Sequence, residues 1–171
     1  NPRTRSDVAD LVWCPAHERL HTANVVSTLT SPHAMRQHEL VALTKKPIPE
    51  IDALGRPLVA VLLGGPNDIF KFDTVALERL AECVRNLAAA GTSFLIAPSE
   101  RTTASLFRTV TAATRGAKRI LSTPRGAIPY WTLLAHADLA IVTAASVGMT
   151  SDACATGRPV YVFEPSGGSE K

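Results

Sequence analysis

The sequence predicts an α/β fold, a Rossmann-like parallel sheet with helices on both faces. Three observations predict it. Residues 58–63 (LVAVLL) form an unbroken apolar run stopped by Gly64-Gly65-Pro66, the mark of a strand buried on both faces. From residue 57 onward, strand-like runs alternate with segments of helical periodicity, which is the order a parallel sheet requires. Apolar residues make up 46% of the 171 and charged residues 19%, enough for a buried core.

The elements follow in order. Residues 73–90 (DTVALERLAECVRNLAAA) place Val75, Leu77, Leu80, Ala81, Val84, Leu87 and Ala88 at helical spacing, with Asp73 as N-cap and Gly91 as C-cap. Residues 93–97 (SFLIA) are the next strand, ended by Pro98. Residues 103–114 are a helix and 119–121 a short strand. Residues 130–137 (YWTLLAHA) are a short helix entered through Pro129, and 139–142 (LAIV) a strand. Residues 146–156 are a helix closed by Gly157-Arg158-Pro159. Residues 160–163 (VYVF) are the last strand.

The first 46 residues read differently. Residues 10–14 (DLVWC) and 24–29 (NVVSTL) are strand-like, and 35–46 suit a short helix. Two strands and a helix cannot cover both faces of a sheet. Residues 1–46 are therefore expected to be the tail of a truncated N-terminal domain. Lys45-Lys46-Pro47-Ile48-Pro49-Glu50 serves as linker, and residues 47–171 are a C-terminal Rossmann-like domain, itself cut near its end.

Composition excludes several functions. The net charge is +3 with no basic stripe or tail, so nucleic acid is not the expected partner. The longest apolar runs are far shorter than the roughly 20 residues a membrane helix needs. Peripheral membrane contact is left to the missing domain. Cys14, Cys83 and Cys154 are scattered, with no CxxC. Neither a disulfide framework nor a thiolate metal site is expected, and a reducing cytoplasm is the default.

Ligands of an open parallel sheet bind beyond the carboxyl ends of its strands, and the loops there are rich in small polar residues. Gly64-Gly65-Pro66-Asn67-Asp68 follows the first strand of the alternation; glycines admit close approach of the backbone to a phosphate. Pro98-Ser99-Glu100-Arg101-Thr102 follows the second, with Arg101 a fitting partner for a phosphate oxygen and Ser99 beside it. Thr143-Ala144-Ala145-Ser146 leads into a helix carrying Thr150, Ser151 and Asp152. Hydroxyls, unpaired N–H groups and the positive dipole end make such a helix start an anion site, and Asp152 suits the hydroxyls of a ribose. The glycines and lysine of 166–171 form a fourth loop. Tyr130 is placed either to pack or to stack on a base.

His17-Glu18-Arg19-Leu20-His21 spells H-E-x-x-H, the zincin motif when it lies on a helix. Pro15 and the β-branched Val25-Val26 leave about two helical turns between them, too few for that fold, so His17 and His21 are expected in a loop. No metal or cofactor is expected. Cys14 and Cys154 read as small core residues, and Trp13 and Trp131 as packing residues.

Residues 59–68 (VAVLLGGPND), 94–102 (FLIAPSERT), 129–134 (PYWTLL) and 137–165 (ADLAIVTAASVGMTSDACATGRPVYVFEP) resemble the mitochondrial-fission Elm-type family, whose bacterial members are labelled nucleoside-diphosphate-sugar epimerase-like. Residues 15–33 also resemble that family's Pro-x-His-acid segment, with Glu18 for its Asp. The resemblance implies a GT-B-like fold, with residues 47–171 as its C-terminal domain. It also implies binding of a nucleoside-diphosphate sugar, in a glycosyltransferase-like or epimerase-like protein. The alternative is a non-catalytic interaction module on the same scaffold. Carried over by the resemblance, Gly64 and Gly65 lie near the diphosphate, Ser146, Thr150 and Ser151 hold phosphate, and Asp152 holds ribose. Ala145 and Ile128 stand where the family carries Asp and Asn.

Overall fold

The structure is a computed structural model and describes residues 9–33, 35–122 and 128–168. In chain order it contains β1 (Val12–Pro15), β2 (Val25–Thr28), α1 (Gln37–Lys45), α2 (Pro49–Asp52), β3 (Leu58–Leu63), α3 (Thr74–Ala89), β4 (Ser93–Pro98), α4 (Ala104–Ala113), β5 (Arg119–Leu121), α5 (Tyr130–His136), β6 (Leu139–Thr143), α6 (Val147–Ala155) and β7 (Val160–Phe163). The last five strands form one sheet in the order β5-β4-β3-β6-β7, and every neighbouring pair is parallel.

Strand β3 is central because it is apolar on both faces, and all six of its residues are buried. Its alternate residues divide between two cores. Leu58, Ala60 and Leu62 pack with Leu133 and Leu134 of α5 and Ala153 of α6. Val59, Val61 and Leu63 pack with Leu80 and Val84 of α3 and with Leu106 and Val110 of α4. Helices thus cover both faces, and each helix turns its own apolar stripe inward. The caps expected for α3 are present: Asp73 accepts from the Ala76 N–H at 2.9 Å, and Gly91 takes φ +85° just beyond the helix.

The N-terminal strands form a separate parallel pair, with Val12 opposite Val25. Helix α1 does not stay with them; it packs on α5 and buries Leu40. The Lys46 carbonyl beyond its end lies 3.1 Å from His136 Nε2. The expected linker also contains a helical turn. Pro49 occupies the first turn of α2, where its fixed φ suits the helix, and Asp52 accepts from the Ile48 N–H at 3.1 Å.

Two packing expectations are corrected. Trp13 is 37% exposed, on a two-stranded pair outside the five-stranded sheet. Cys154 is exposed; Ser151 and Ala153 supply the buried face of α6 instead. Cys14 is buried as expected. Among the described residues, no helix is long and apolar enough to cross a membrane.

Candidate functional site

The strand order reverses direction between β3 and β6. Going outward from β3, the chain builds β4 and β5 on one side, then returns to build β6 and β7 on the other. The loops leaving these two central strands lead to helices on opposite faces of the sheet, and in open sheets the crevice that holds ligands forms at the carboxyl ends of strands that part in this way. Gly64, Gly65 and Asn67 lie on one loop of this crevice. Thr143, Ala145 and Ser146 lie on the other, and Ser99 and Arg101 border it from β4.

The two glycines are required by the protein itself. A Cβ on Gly64 would stand 2.5 Å from Ser146 Cβ, and one on Gly65 would stand 1.6 Å from the Arg101 carbonyl oxygen. The structure adds loop-on-loop contact to the phosphate approach that the sequence offers as their reason. Three loops from three strands are thereby pressed into one unit. Hydrogen bonds complete it. The Gly64 N–H donates to Thr143 Oγ1 at 2.7 Å. Thr102 Oγ1 donates to the Leu63 carbonyl and accepts from the Ser99 N–H at 2.8 Å. Thr102 was not singled out in the sequence. A Thr three residues beyond a Ser at a strand exit, as in an ST-type turn, is the signal that could have found it.

The hydroxyls divide between the fold and the crevice. Thr143 is buried and bonded to Gly64. Thr150 donates to the Ser146 carbonyl at 3.0 Å, and Ser151 to the Val147 carbonyl at 2.9 Å. Ser151 Oγ also accepts from the Ser31 N–H at 2.9 Å, tying the N-terminal segment to α6. These side chains are held by backbone four residues earlier in the helix. Ser146 caps α6 by accepting from the Met149 N–H at 3.4 Å, which leaves its own hydroxyl hydrogen available. In the first turn of α6, the Val147 and Gly148 N–H groups lie beyond the reach of intrahelical acceptors. Both residues are exposed, and no atom lies within 4 Å of where a Gly148 Cβ would stand.

The Ala145 carbonyl receives two donors, Asn67 Nδ2 and Arg101 Nη2, each at 3.2 Å. Asn67 Oδ1 accepts from the Ile69 and Phe70 N–H groups at 2.9 and 2.7 Å, so its amide orientation is fixed. Ala145 itself is 3% exposed and meets the crevice through its main chain. Further along α6, the Tyr130 hydroxyl donates to Asp152 Oδ2 at 3.3 Å. Burial pushes the Asp152 carboxyl up, opposed by that hydrogen bond and by nearby His33. Burial, and then the Asp152 charge, push the Tyr130 hydroxyl far above its ordinary range, so it acts as a donor. Its ring packs edge-on against Trp131 at 5.7 Å between centroids, which is the packing alternative of the two drawn from the sequence.

The fourth loop turns toward α3. Ser166 Oγ donates to Asp73 Oδ1 at 2.9 Å, and its carbonyl accepts from the Lys71 N–H at 2.8 Å. Residues 169–171 lie outside the described residues. The H-E-x-x-H stretch is not an α-helix. His17 belongs to a single 3-10 turn over Ala16–Glu18, ended by Arg19 with φ +52°. The two imidazoles are not set at helical i, i+4 spacing. Among the described residues, no group of three His, Cys, Asp or Glu converges as a metal cage.

A family model described as Mitochondrial fission ELM1 matches residues 1–171. The mitochondrial fission protein ELM1 of Arabidopsis thaliana is 33% identical over 120 residues, covering 66% of this chain and 27% of that protein. The chain thus spans about a quarter of the length of the curated relative it matches. A crystal structure of POFUT1 in complex with GDP is similar at 15% identity and a TM-score of 0.45, over 74% of this chain and 45% of that one.

Proposed function

The chain belongs to the mitochondrial fission ELM1 family, and from that premise we propose that its crevice binds the diphosphate of a nucleoside-diphosphate sugar. The observation that carries this reading is the meeting, at the point where the strand order reverses, of the Gly64-Gly65 loop with the start of α6. The Val147 and Gly148 N–H groups and the Ser146 hydroxyl are donors at the positive end of a helix dipole, and they adjoin open space. Such an array favours an anion without any rearrangement of the backbone. Arg101 adds a full positive charge one side chain away. Asp152, oriented by Tyr130, supplies an acceptor for ribose hydroxyls. The reaction class implied by the family resemblance is glycosyl transfer or epimerisation, and the proposal here is the binding step.

Titration calorimetry with uridine diphosphate tests it. Binding that inorganic phosphate competes for is the expected result. A flat titration at millimolar ligand, on protein shown folded by circular dichroism, overturns it. A second reading, a non-catalytic interaction module, draws on one specific feature. An apolar groove of about 320 Å³ runs beside β7, lined by Cys83, Leu87, Leu139, Ile141, Tyr161 and Phe163. That reading predicts the flat titration.

A further inference from the structure

We propose that a second copy of this chain pairs with β7, edge to edge and antiparallel, about a two-fold axis at Tyr161. β7 closes one side of the five-stranded sheet, and its backbone fixes which groups face outward. The Pro159 carbonyl accepts from the Ala140 N–H at 2.9 Å, and the Phe163 carbonyl from the Ala144 N–H at 2.8 Å. Residues 159, 161 and 163 therefore turn their main-chain polar groups to β6, and the alternating Val160 and Val162 turn theirs away from the sheet. The N–H that Pro159 lacks falls on the β6 side, so no proline blocks the outward positions. An open edge admits many strands, and the sequence selects its own. Residues 158–164 read Arg-Pro-Val-Tyr-Val-Phe-Glu, symmetric about Tyr161 with opposite charges at the two ends. Laid antiparallel on itself, the segment sets Val160 opposite Val162 of the second copy, and Val162 opposite its Val160. These are the residues with outward groups, so the register satisfies both N–H groups and both carbonyls of each copy, in four hydrogen bonds. A shift by one residue opposes an outward residue to one that faces β6. A shift by two parts Arg158 from Glu164, which the chosen register sets opposite each other twice. Both of these residues are exposed, and among the described residues neither is ion-paired. Tyr161 is 61% exposed and lines the apolar groove beside β7. It stands opposite Tyr161 of the second copy in a non-hydrogen-bonded pair, where side chains come closest. The two rings shield apolar surface that one copy alone leaves to water.

Sedimentation velocity of this chain, from micromolar to several hundred micromolar, is expected to show a monomer–dimer equilibrium with a micromolar dissociation constant, the strength of a small interface. Val162→Pro removes an outward N–H and leaves the ladder to β6 intact. It is expected to match the parent by circular dichroism and to dimerise roughly ten-fold more weakly, since two of the four hydrogen bonds are lost. Arg158→Glu and Glu164→Arg each set like charges opposite one another, and each is expected to weaken the dimer roughly ten-fold. Mixing these two variants, or joining both changes in one chain, restores opposite charges at both contacts and is expected to recover the dimer. Amide exchange reads the register directly: Val160 and Val162 are expected to slow as concentration rises, while Tyr161 and Phe163, already bonded to β6, change little. A monomer throughout the range overturns the proposal. A dimer that Val162→Pro and both charge reversals leave unchanged also overturns it, because the contact then lies on another surface.

Discussion

Gly65 and Gly148 are the same residue type at opposite kinds of position. A methyl on Gly65 meets a backbone carbonyl at 1.6 Å, whereas one on Gly148 meets nothing within 4 Å. Gly65→Ala is expected to cost about 1–3 kcal/mol, the range for overpacking a rigid site. Gly148→Ala is expected to stabilise α6 by about 0.5–1 kcal/mol through helix propensity. Its methyl would also stand in the space the proposed anion occupies, so it should weaken uridine diphosphate while raising the urea midpoint. A variant that gains stability and loses binding separates site from scaffold. Asp152 yields a pH test. Its carboxyl is raised by burial above the ordinary 3.8, so the folded state holds its proton more tightly than the unfolded chain. Stability contributed by the protonated form is present below 3.8 and lost as pH rises through the raised folded value. Asp152→Asn removes the half-buried charge and keeps an acceptor for Tyr130. It is expected to be the more stable protein at pH 7, with the gap closing as pH falls through the raised folded value toward 3.8 and no further change below it, read from urea midpoints. At this scale the sequence named residues that the fold brings to the ends of β3, β4 and β6, but not the hydrogen bonds they make within the protein. A serine or threonine on a helix has a carbonyl four residues back as its nearest acceptor, and Thr150 and Ser151 both use it. The main-chain donors of Val147 and Gly148 carry no side-chain signature; only Ser146, legible as an N-cap, pointed to them.

Elements were more legible than residues because their signals are redundant. β3 is fixed at once by apolar continuity, by the glycines that end it and by the alternation around it. α2 was missed because four residues carry no periodicity, and Pro47 and Pro49 read as linker. The face of α6 was missed because its residues are mostly small, so Cys154 and Ala153 look alike in sequence although one is exposed and the other buried. Helix starts are the elements' most testable feature. Asp73 caps α3, and the Ala76 N–H holds its carboxyl below 3.8, helped by the Ser166 hydroxyl. An acid with a lowered folded pKa stabilises the fold above its unfolded value, and that stabilisation is lost as pH falls through the folded value. Asp73→Ala is therefore expected to be less stable than the parent at pH 7, with the two converging in acid. Thr103 caps α4 through the Leu106 N–H at 3.3 Å. Thr103→Ala is expected to cost about 1 kcal/mol, with no convergence in acid, because a hydroxyl does not titrate there. Denaturant titrations of both variants at pH 7 and in acid supply the comparison.

The whole molecule has two grades of burial, and they predict two grades of stability. Strands β3, β4 and β6 lie between helices on both faces, and β3 is buried throughout. The β1–β2 pair is a two-stranded sheet: Cys14 is buried, but Trp13, Val26 and the following Leu29 are exposed, Leu29 at 91%. An isolated pair of strands is marginal in water. Its ties to the rest pass through neighbouring segments, by the Ser31 N–H on Ser151 and by α1 on α5. The sequence put the boundary near residue 46 because Lys45-Lys46-Pro47 punctuates the chain. Packing puts α1 with the main sheet, since Leu40 is buried and the Lys46 carbonyl meets His136. Chain punctuation and contact are different quantities, and only contact sets cooperativity. Native-state hydrogen exchange distinguishes them. The amides of Val12–Pro15 and Val25–Thr28 are expected to exchange by a partial opening, well below the free energy that governs β3. Amides near the middle of α1 are expected to exchange with α5 rather than with β1. Ser151→Ala removes the acceptor of the Ser31 N–H, so it is expected to speed exchange in β1 and β2 and leave β3 unchanged. If α1 instead exchanges together with β1 and β2, the unit that opens ends near residue 46, and the contact between α1 and α5 is too weak to hold the helix to the sheet.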